Sequence, residues 1–321
     1  MDSKYESILL SKPFTFIVGP QKKQYMIHEA VVSRLSKTLD SLLNGGMRES
    51  DEHCVCWEDT DEKTFIRFGE WAYTGDYKPE EPEILLDSSQ IAYPDDDLPK
   101  LIVRAEETAK SLALFKDESG DNGNQGHCTG CANATHDYGA VTKRSCVRCH
   151  ARFTTDCCTA CVALRYSACQ SCRTIPDQEK RLAMIEKFNN NSAYESPTTP
   201  FTPRKNTESC EDYSGVFLSH AQLYVLADKY DIKELRDLSA HKLWVTLKEF
   251  SLYPERMGDI IGLVKYSFAN TIAGDKLRTL LTDFSACTVE DLCQGEGFQD
   301  LIYEAPEFAC ELIKEMSKRL E

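Results

Sequence analysis

Between residues 128 and 172 the sequence reads CTGCANATHDYGAVTKRSCVRCHARFTTDCCTACVALRYSACQSC, and these 45 residues hold nine of the chain's 15 cysteines. Eight form four CxxC pairs: Cys128/Cys131, Cys146/Cys149, Cys158/Cys161 and Cys169/Cys172. A CxxC turn lets two thiolates of one tight knuckle face a single ion, and zinc takes four such ligands in a tetrahedron. Two knuckles complete one site, so four knuckles predict two structural zinc ions, each held by four cysteines. The intervals between pairs, 14, 8 and 7 residues, close at modest entropic cost. Two pairings satisfy this spacing: crossed, with knuckles one and three on one ion, or sequential, with one and two together. Cys157, His127, His136 and His150 stand in or beside the segment as substitute ligands or as surface residues. Cys146-Val147-Arg148-Cys149-His150 also has the form of a c-type haem attachment site. The three surrounding pairs, and the absence of an export signal before it, favour zinc.

The segment needs its metal. Its bulky apolar residues are few: Val141, Val147, Phe153, Val162 and Leu164, with Tyr138 and Tyr166. Ordering a backbone costs about 1–2 kcal/mol per residue, which that handful does not offset. Structural zinc contributes on the order of 10–16 kcal/mol in finger peptides, so without metal the segment is expected to be unfolded. From His127 to Arg173 six Lys/Arg face two acids, and two tetrathiolate zinc sites bring the segment to neutrality.

Composition bounds the rest. The chain has 321 residues, enough for two domains or one domain with a large insertion, and a net charge of −15. That charge argues against general affinity for nucleic acid or anionic membrane. No apolar run approaches the ~18 residues of a membrane span. The start, MDSKYESILL, lacks a basic n-region and a long apolar stretch, so no signal peptide is expected. The expected setting is intracellular and reducing, cytoplasm or nucleus, where clustered CxxC pairs favour metal over disulfides. Cys54, Cys56, Cys210, Cys287, Cys293 and Cys310 form no CxxC and read as scattered thiols.

Several elements must position the segment. Phe14, Phe16 and Val18 alternate in FTFIVG, and QYMIH follows a polar turn, which predicts a β-hairpin. From His28, the residues Val31, Val32, Leu35, Leu39, Leu42 and Leu43 recur at helical spacing, which predicts one helix stopped by Asn44-Gly45-Gly46. HCVCWED predicts a strand with Val55 and Trp57 on one side. Phe65, Phe68, Trp71 and Ala72 predict a helix closed by YTGDY.

YMIHEAVVSRLS, GGMRESDEHCVCWED and FIRFGEWAYTGDY, in that order, resemble the BTB/POZ domain of the fungal type. FLSHAQLYVLADKYDIKELRDLSAHKL, with its stripe Leu223, Leu226, Ala227 and Tyr230, looks like that domain's last helical hairpin. The match covers roughly residues 12–77 and 217–247. It implies an α+β fold, a short β-sheet flanked by helices, interrupted by the zinc module and followed by a helical extension. It also implies protein association, often as a homodimer, and for many members recruitment of a cullin scaffold as a ubiquitin-ligase adaptor. Cullin-binding members carry a hydrophobic-x-Glu motif before the third strand. Met47-Arg48-Glu49 matches it at the corresponding place, with a solvated loop as the plain alternative. A crossed zinc arrangement would resemble FYVE, RING and PHD modules, but the phosphoinositide-binding RRHHCR box and the central Cys-x-His of RING are missing.

The expected organisation is therefore 8–77 for the first BTB/POZ part and 78–119 for an acidic loop and a helix over LIVRAEETAKSLALF. The zinc module is expected at 120–175, a short helix and disordered linker at 176–216, the helical hairpin at 217–247 and a helical extension at 248–321. The stretch NNNSAYESPTTPFTPRKNTES is polar and proline-rich. It contains Ser196-Pro197, Thr199-Pro200 and Thr202-Pro203, which suit proline-directed kinases or simply a solvated linker. In the extension, Ile260, Ile261, Val264, Phe268 and Ile272 form one apolar stripe and Phe308, Leu312, Ile313 and Met316 another.

GxGxxG, Walker, GxSxG and HExxH signatures are absent from the sequence, and closed four-cysteine sites lack the open position catalysis needs. The expectation is a non-enzymatic interaction protein. A ubiquitin-ligase adaptor, a BTB-zinc-finger transcription or chromatin regulator and a zinc-dependent ligase are the three forms weighed, with the last disfavoured by the missing RING spacing.

Overall fold

A computed structural model of the protein describes residues 4–46, 48–85, 142–145, 152–155, 176–195 and 200–318. The chain divides into two compact units, one made of Met1–Asp87 with Arg181–Glu321 and the other of Ser88–Lys180. The first unit is discontinuous in sequence, and the architecture is mixed α and β with helix predominating.

The first unit opens with helix α1 (Lys4–Leu10) and the antiparallel hairpin β1 (Pro13–Val18) and β2 (Lys23–His28). Strand β3 (Cys54–Trp57) runs parallel to β1 and completes a sheet of order β2-β1-β3. Period-two alternation sends Phe14, Phe16 and Val18 inward, with Val55 and Trp57 from β3 beside them, while Cys56 faces solvent.

The helix predicted from His28 to Asn44 is two helices, α2 (Glu29–Val32) and α3 (Lys37–Asn44). Ser36 makes the break. Its extended backbone caps α3, its hydroxyl accepts from Leu39 N at 3.1 Å, and the same hydroxyl donates to the Tyr230 carbonyl at 2.6 Å. The apolar spacing survives because Val31, Val32, Leu39 and Leu43 face one core from both helices. A short helix α4 (Arg48–Glu52) follows. Helix α5 (Glu62–Thr74) starts at its cap Asp61, which accepts from Thr64 N at 3.0 Å, and ends at Gly75, whose φ of 82° suits glycine.

After the second unit the chain returns through α6 (Pro176–Asn189). It then forms the antiparallel helix pair α7 (Ser214–Lys229) and α8 (Lys233–Glu249), followed by α9 (Met257–Asn270), α10 (Lys276–Leu292), α11 (Phe298–Glu304) and α12 (Pro306–Ser317).

Among the described residues two apolar cores result. One joins the sheet, α2, α3 and α5 to Leu223, Leu226 and Ala227 of α7 and Leu235 and Leu238 of α8. Phe16, Trp57 and Phe65 pack edge to face or tilted within it, and Tyr230 stacks on Trp57 with centroids 4.3 Å apart. The other core joins Val216, Phe217 and Tyr224 of α7 and Leu243 and Trp244 of α8 to α6 and α9–α12. Helix α7 is thus apolar nearly all round because both sides are covered.

The C-terminal stripes hold with two corrections. Ile272 lies beyond the end of α9 and is 78% exposed, and Ile313 points away from the core at 66% exposed. The predicted disordered linker also differs. Its described residues 189–195 and 200–209 include buried Tyr194, which joins the helical core and stacks on Trp244, and buried Asn206, held by hydrogen bonds to Ser251. The helix expected over LIVRAEETAKSLALF lies outside the described residues. Among the described residues no helix is long and apolar enough to cross a membrane.

Phe217 is fully buried and packs on Tyr213 and Phe250. Phe217→Ala is therefore expected to lower unfolding free energy by about 3–5 kcal/mol. Ile272→Ala should change it by no more than about 0.5 kcal/mol. Chemical denaturation of the two variants checks the assignment of that stripe.

Candidate metal centre and the anchored ends of the insertion

Cys128, Cys131, Cys146, Cys149, Cys158, Cys161, Cys169 and Cys172 lie outside the described residues, as do Cys157, His127, His136 and His150. What is described in this unit, besides residues 176–180 of α6, is a hairpin of β5 (Thr142–Ser145) and β6 (Arg152–Thr155), paired antiparallel from Thr142↔Thr155 to Ser145↔Arg152. The connection between the two strands contains Cys146 and Cys149. The amino-acid pattern of the segment carries no strand signal that marks this hairpin. Among the described residues no group of three or more His, Cys, Asp or Glu is arranged to hold a metal ion. Cys287 is buried, Cys56, Cys293 and Cys310 are exposed, and Cys54 and Cys210 are half-buried.

Met47 also lies outside the described residues. Glu49 sits half-buried on α4, a helix rather than the expected loop, where Arg48 donates to Glu52 at 2.7 Å.

Within the first unit, the two ends of the interruption are tied to each other. Strand β4 (Glu83–Ile84), on the way out, pairs antiparallel with β7 (Glu211–Asp212), on the way back, and Leu85 N donates to the Cys210 carbonyl at 2.8 Å. The same unit holds a buried ammonium. Lys242 is 1% exposed; its Nζ donates to the Tyr77 carbonyl at 2.6 Å and meets Asp76 Oδ1 at 2.5 Å. The same Nζ lies 4.3 Å from the Tyr77 ring centre and 4.8 Å from that of Phe201. A carboxylate, a carbonyl and two aromatic faces are what a cation requires when taken out of water. One ammonium thereby holds residues that precede the interruption and one that follows it.

His220 completes the cluster. Its Nδ1 lies 2.6 Å from Tyr77 Oη, and Phe201 meets its ring edge to face. Burial, with Lys242 and then Arg67 nearby, pushes its pKa down to about 3, so the imidazole is neutral. Burial also raises the Tyr77 phenol. Glu80, salt-bridged to Arg67 at 2.8 Å and to Lys63, carries the outgoing chain across α5.

The returning strap, 200–213, is anchored along its length. Asn206 donates to the Ser251 carbonyl and accepts from Ser251 N, both at 2.7 Å. Tyr253 Oη donates to the Thr207 carbonyl at 2.7 Å, and Tyr213 N donates to Asp259 Oδ2 at 2.8 Å. A cavity of about 280 Å³ opens between the outgoing and returning chains, lined among others by Lys78, Glu80, Glu81, Phe201, Thr202 and Arg204. None of these anchors was visible as a sequence motif: Lys242 and His220 read as ordinary polar positions on helices.

The fold and these anchors define a class, an α+β framework whose sheet core is closed by chain segments on both sides of a cysteine-rich insertion, while its helical core is built from residues that follow it. Comparison with protein-family models, curated proteins and solved structures finds no match to the chain.

His220 gives the scaffold an acid-sensitive component. Its folded pKa lies below its unfolded value, so the unfolded chain binds the proton more tightly. The stability it supports is complete above about pH 6.5 and declines as pH falls toward 3. Between pH 6.5 and 5 the decline should reach about 2 kcal/mol. Asp259, raised to about 6 by burial, acts in the opposite sense over part of this range. The comparison with His220→Asn isolates the histidine: denaturant unfolding at stepped pH should show a flatter acid slope in the variant.

Proposed function

We propose that the protein is a non-enzymatic interaction scaffold. In this reading a BTB/POZ-type unit supplies assembly, and a module held by two zinc ions presents a second binding face. The observation that carries it is the discontinuous first unit. Its sheet core is closed by Leu223, Leu226, Leu235 and Tyr230, which follow the insertion, while the insertion's ends are clasped by β4 and β7. Such a unit holds a large module without opening its own core.

The order β2-β1-β3, the parallel β3, the following α5 and the later helical pair support the BTB/POZ reading, along with the sequence motifs that first suggested it. Exposed Tyr5, Leu9 and Leu10 on α1 and Met26 on β2 supply apolar surface of the kind association covers, in keeping with a homodimer. For the module, the eight paired cysteines and the β5–β6 hairpin support structural zinc. A cullin scaffold is the proposed partner of the assembly unit, through Met47 and Glu49, which makes the protein a substrate adaptor of a ubiquitin ligase. The second reading, a BTB-zinc-finger transcription or chromatin regulator, draws on Lys143, Arg144 and Arg152, since the eight residues of β5 and β6 contain no acid. Nucleic acid is the less favoured partner given the net charge of −15.

Binding of a purified cullin N-terminal region, followed by calorimetry, tests the first reading. The expected result is a complex that Met47→Ala combined with Glu49→Ala weakens at least about tenfold. Removal of residues 120–175 should leave it intact. No complex with the parent chain, together with salt-sensitive retention on DNA that depends on 120–175, would favour the second reading instead.

A further inference from the structure

The strap contains Thr202-Pro203-Arg204-Lys205, an acceptor hydroxyl followed at once by proline and then by two cations. Thr202 is exposed, and the backbone from 200 to 207 is neither helix nor strand. A residue before proline is pushed toward extended backbone, the form in which a kinase cleft takes its substrate. Proline-directed kinases select for proline immediately after the acceptor and favour a following cation. Of the three Ser/Thr-Pro pairs, Thr202 is the one on the described strap; Ser196 and Thr199 lie outside the described residues.

Its neighbours are tied down on both sides. Phe201 rests against Lys242 and His220, Arg204 pairs with Glu211, and Asn206 and Thr207 are bound to Ser251 and Tyr253. A cleft that grips several residues around the acceptor reaches Thr202 only when the strap lifts. The docked surroundings also offer little to a phosphate. Thr202 lines the cavity together with Glu80 and Glu81. The cations there are engaged, Lys78 with Glu81 at 3.2 Å and Arg204 with Glu211. A phosphothreonine brings about −1.5 to −2 charges, so it meets carboxylates unless the strap stays away.

We infer that Thr202 is the phosphate acceptor for a proline-directed protein kinase, and that its phosphorylation holds the strap 200–207 off the neck of the insertion. In the transfer, Thr202 Oγ1 bonds to the γ-phosphorus of ATP. The bond to the β–γ bridging oxygen breaks, ADP leaves, and the hydroxyl proton passes to the kinase's catalytic carboxylate. Lifting and modification are reciprocal: what loosens the strap speeds phosphorylation, and phosphate disfavours redocking.

The test incubates the full chain with Mg-ATP and a proline-directed kinase, maps phosphate by mass spectrometry and follows hydrogen exchange over 200–207. Phosphate on Thr202 with exchange about tenfold faster in that strap is the expected result. Thr202→Ala should abolish the change, and Ser196→Ala with Thr199→Ala should keep it. Tyr253→Phe, which removes an anchor remote in sequence from the acceptor, should raise the initial rate of Thr202 modification several-fold. Absence of phosphate on Thr202, unchanged exchange in the modified chain, or a rate indifferent to Tyr253→Phe would each overturn the inference.

Discussion

Helix α7 has no solvent face to spare, and the first unit depends on that. Leu223, Leu226 and Ala227 close the sheet core, while Val216, Phe217 and Tyr224 close the helical one. Each core is completed by the same helix, so neither is independent of the other. The residues that meet across α7 come from distant parts of the chain. Trp57 stacks on Tyr230, Thr64 donates to Gln222 at 2.9 Å, and Ser36 donates to the Tyr230 carbonyl. The core of the sheet is therefore one that the chain finishes only after passing through the whole insertion. Loop-closure entropy grows slowly with length, so the added chain is tolerable once its ends are fixed.

Fixing those ends falls to polar chemistry. The β4–β7 clasp is only two residues long on each strand, and the weight rests on Lys242. Its ammonium reaches Tyr77 and Asp76 before the insertion and Phe201 after it. A buried cation stripped of one such partner is strongly destabilising, so the arrangement works as a unit.

How much of this was legible in the sequence follows from physics. Phe14, Phe16, Val18, Val55 and Trp57 were readable because one buried face imposes period two. Helix α5 was readable from Phe65, Phe68, Trp71 and the glycine that ends it. The break at Ser36 was not, because α2 and α3 present apolar residues to the same core and the spacing runs through unbroken. Ile272 and Ile313 matched the helical period yet stayed outside, since periodicity assigns a face and not the existence of a partner for it. The strap was hidden by its composition: Asn206, Thr207 and Arg204 look like linker residues, and their anchors, Ser251, Tyr253 and Glu211, make hydrogen bonds that leave no periodic trace. For the cysteines the sequence supplies the expectation, since four CxxC pairs have the spacing of metal knuckles; their arrangement in space falls outside the described residues.

The scaffold account requires the insertion to have its own source of order, because its apolar residues are too few to provide a core. In the proposed reading thiolate–zinc bonds are that source. Elemental analysis of reduced, freshly purified full-length protein tests this most directly. The account predicts about two zinc ions per chain, held by cysteine thiolates. Reduced protein that carries no zinc while the cysteine-rich unit remains folded would contradict it.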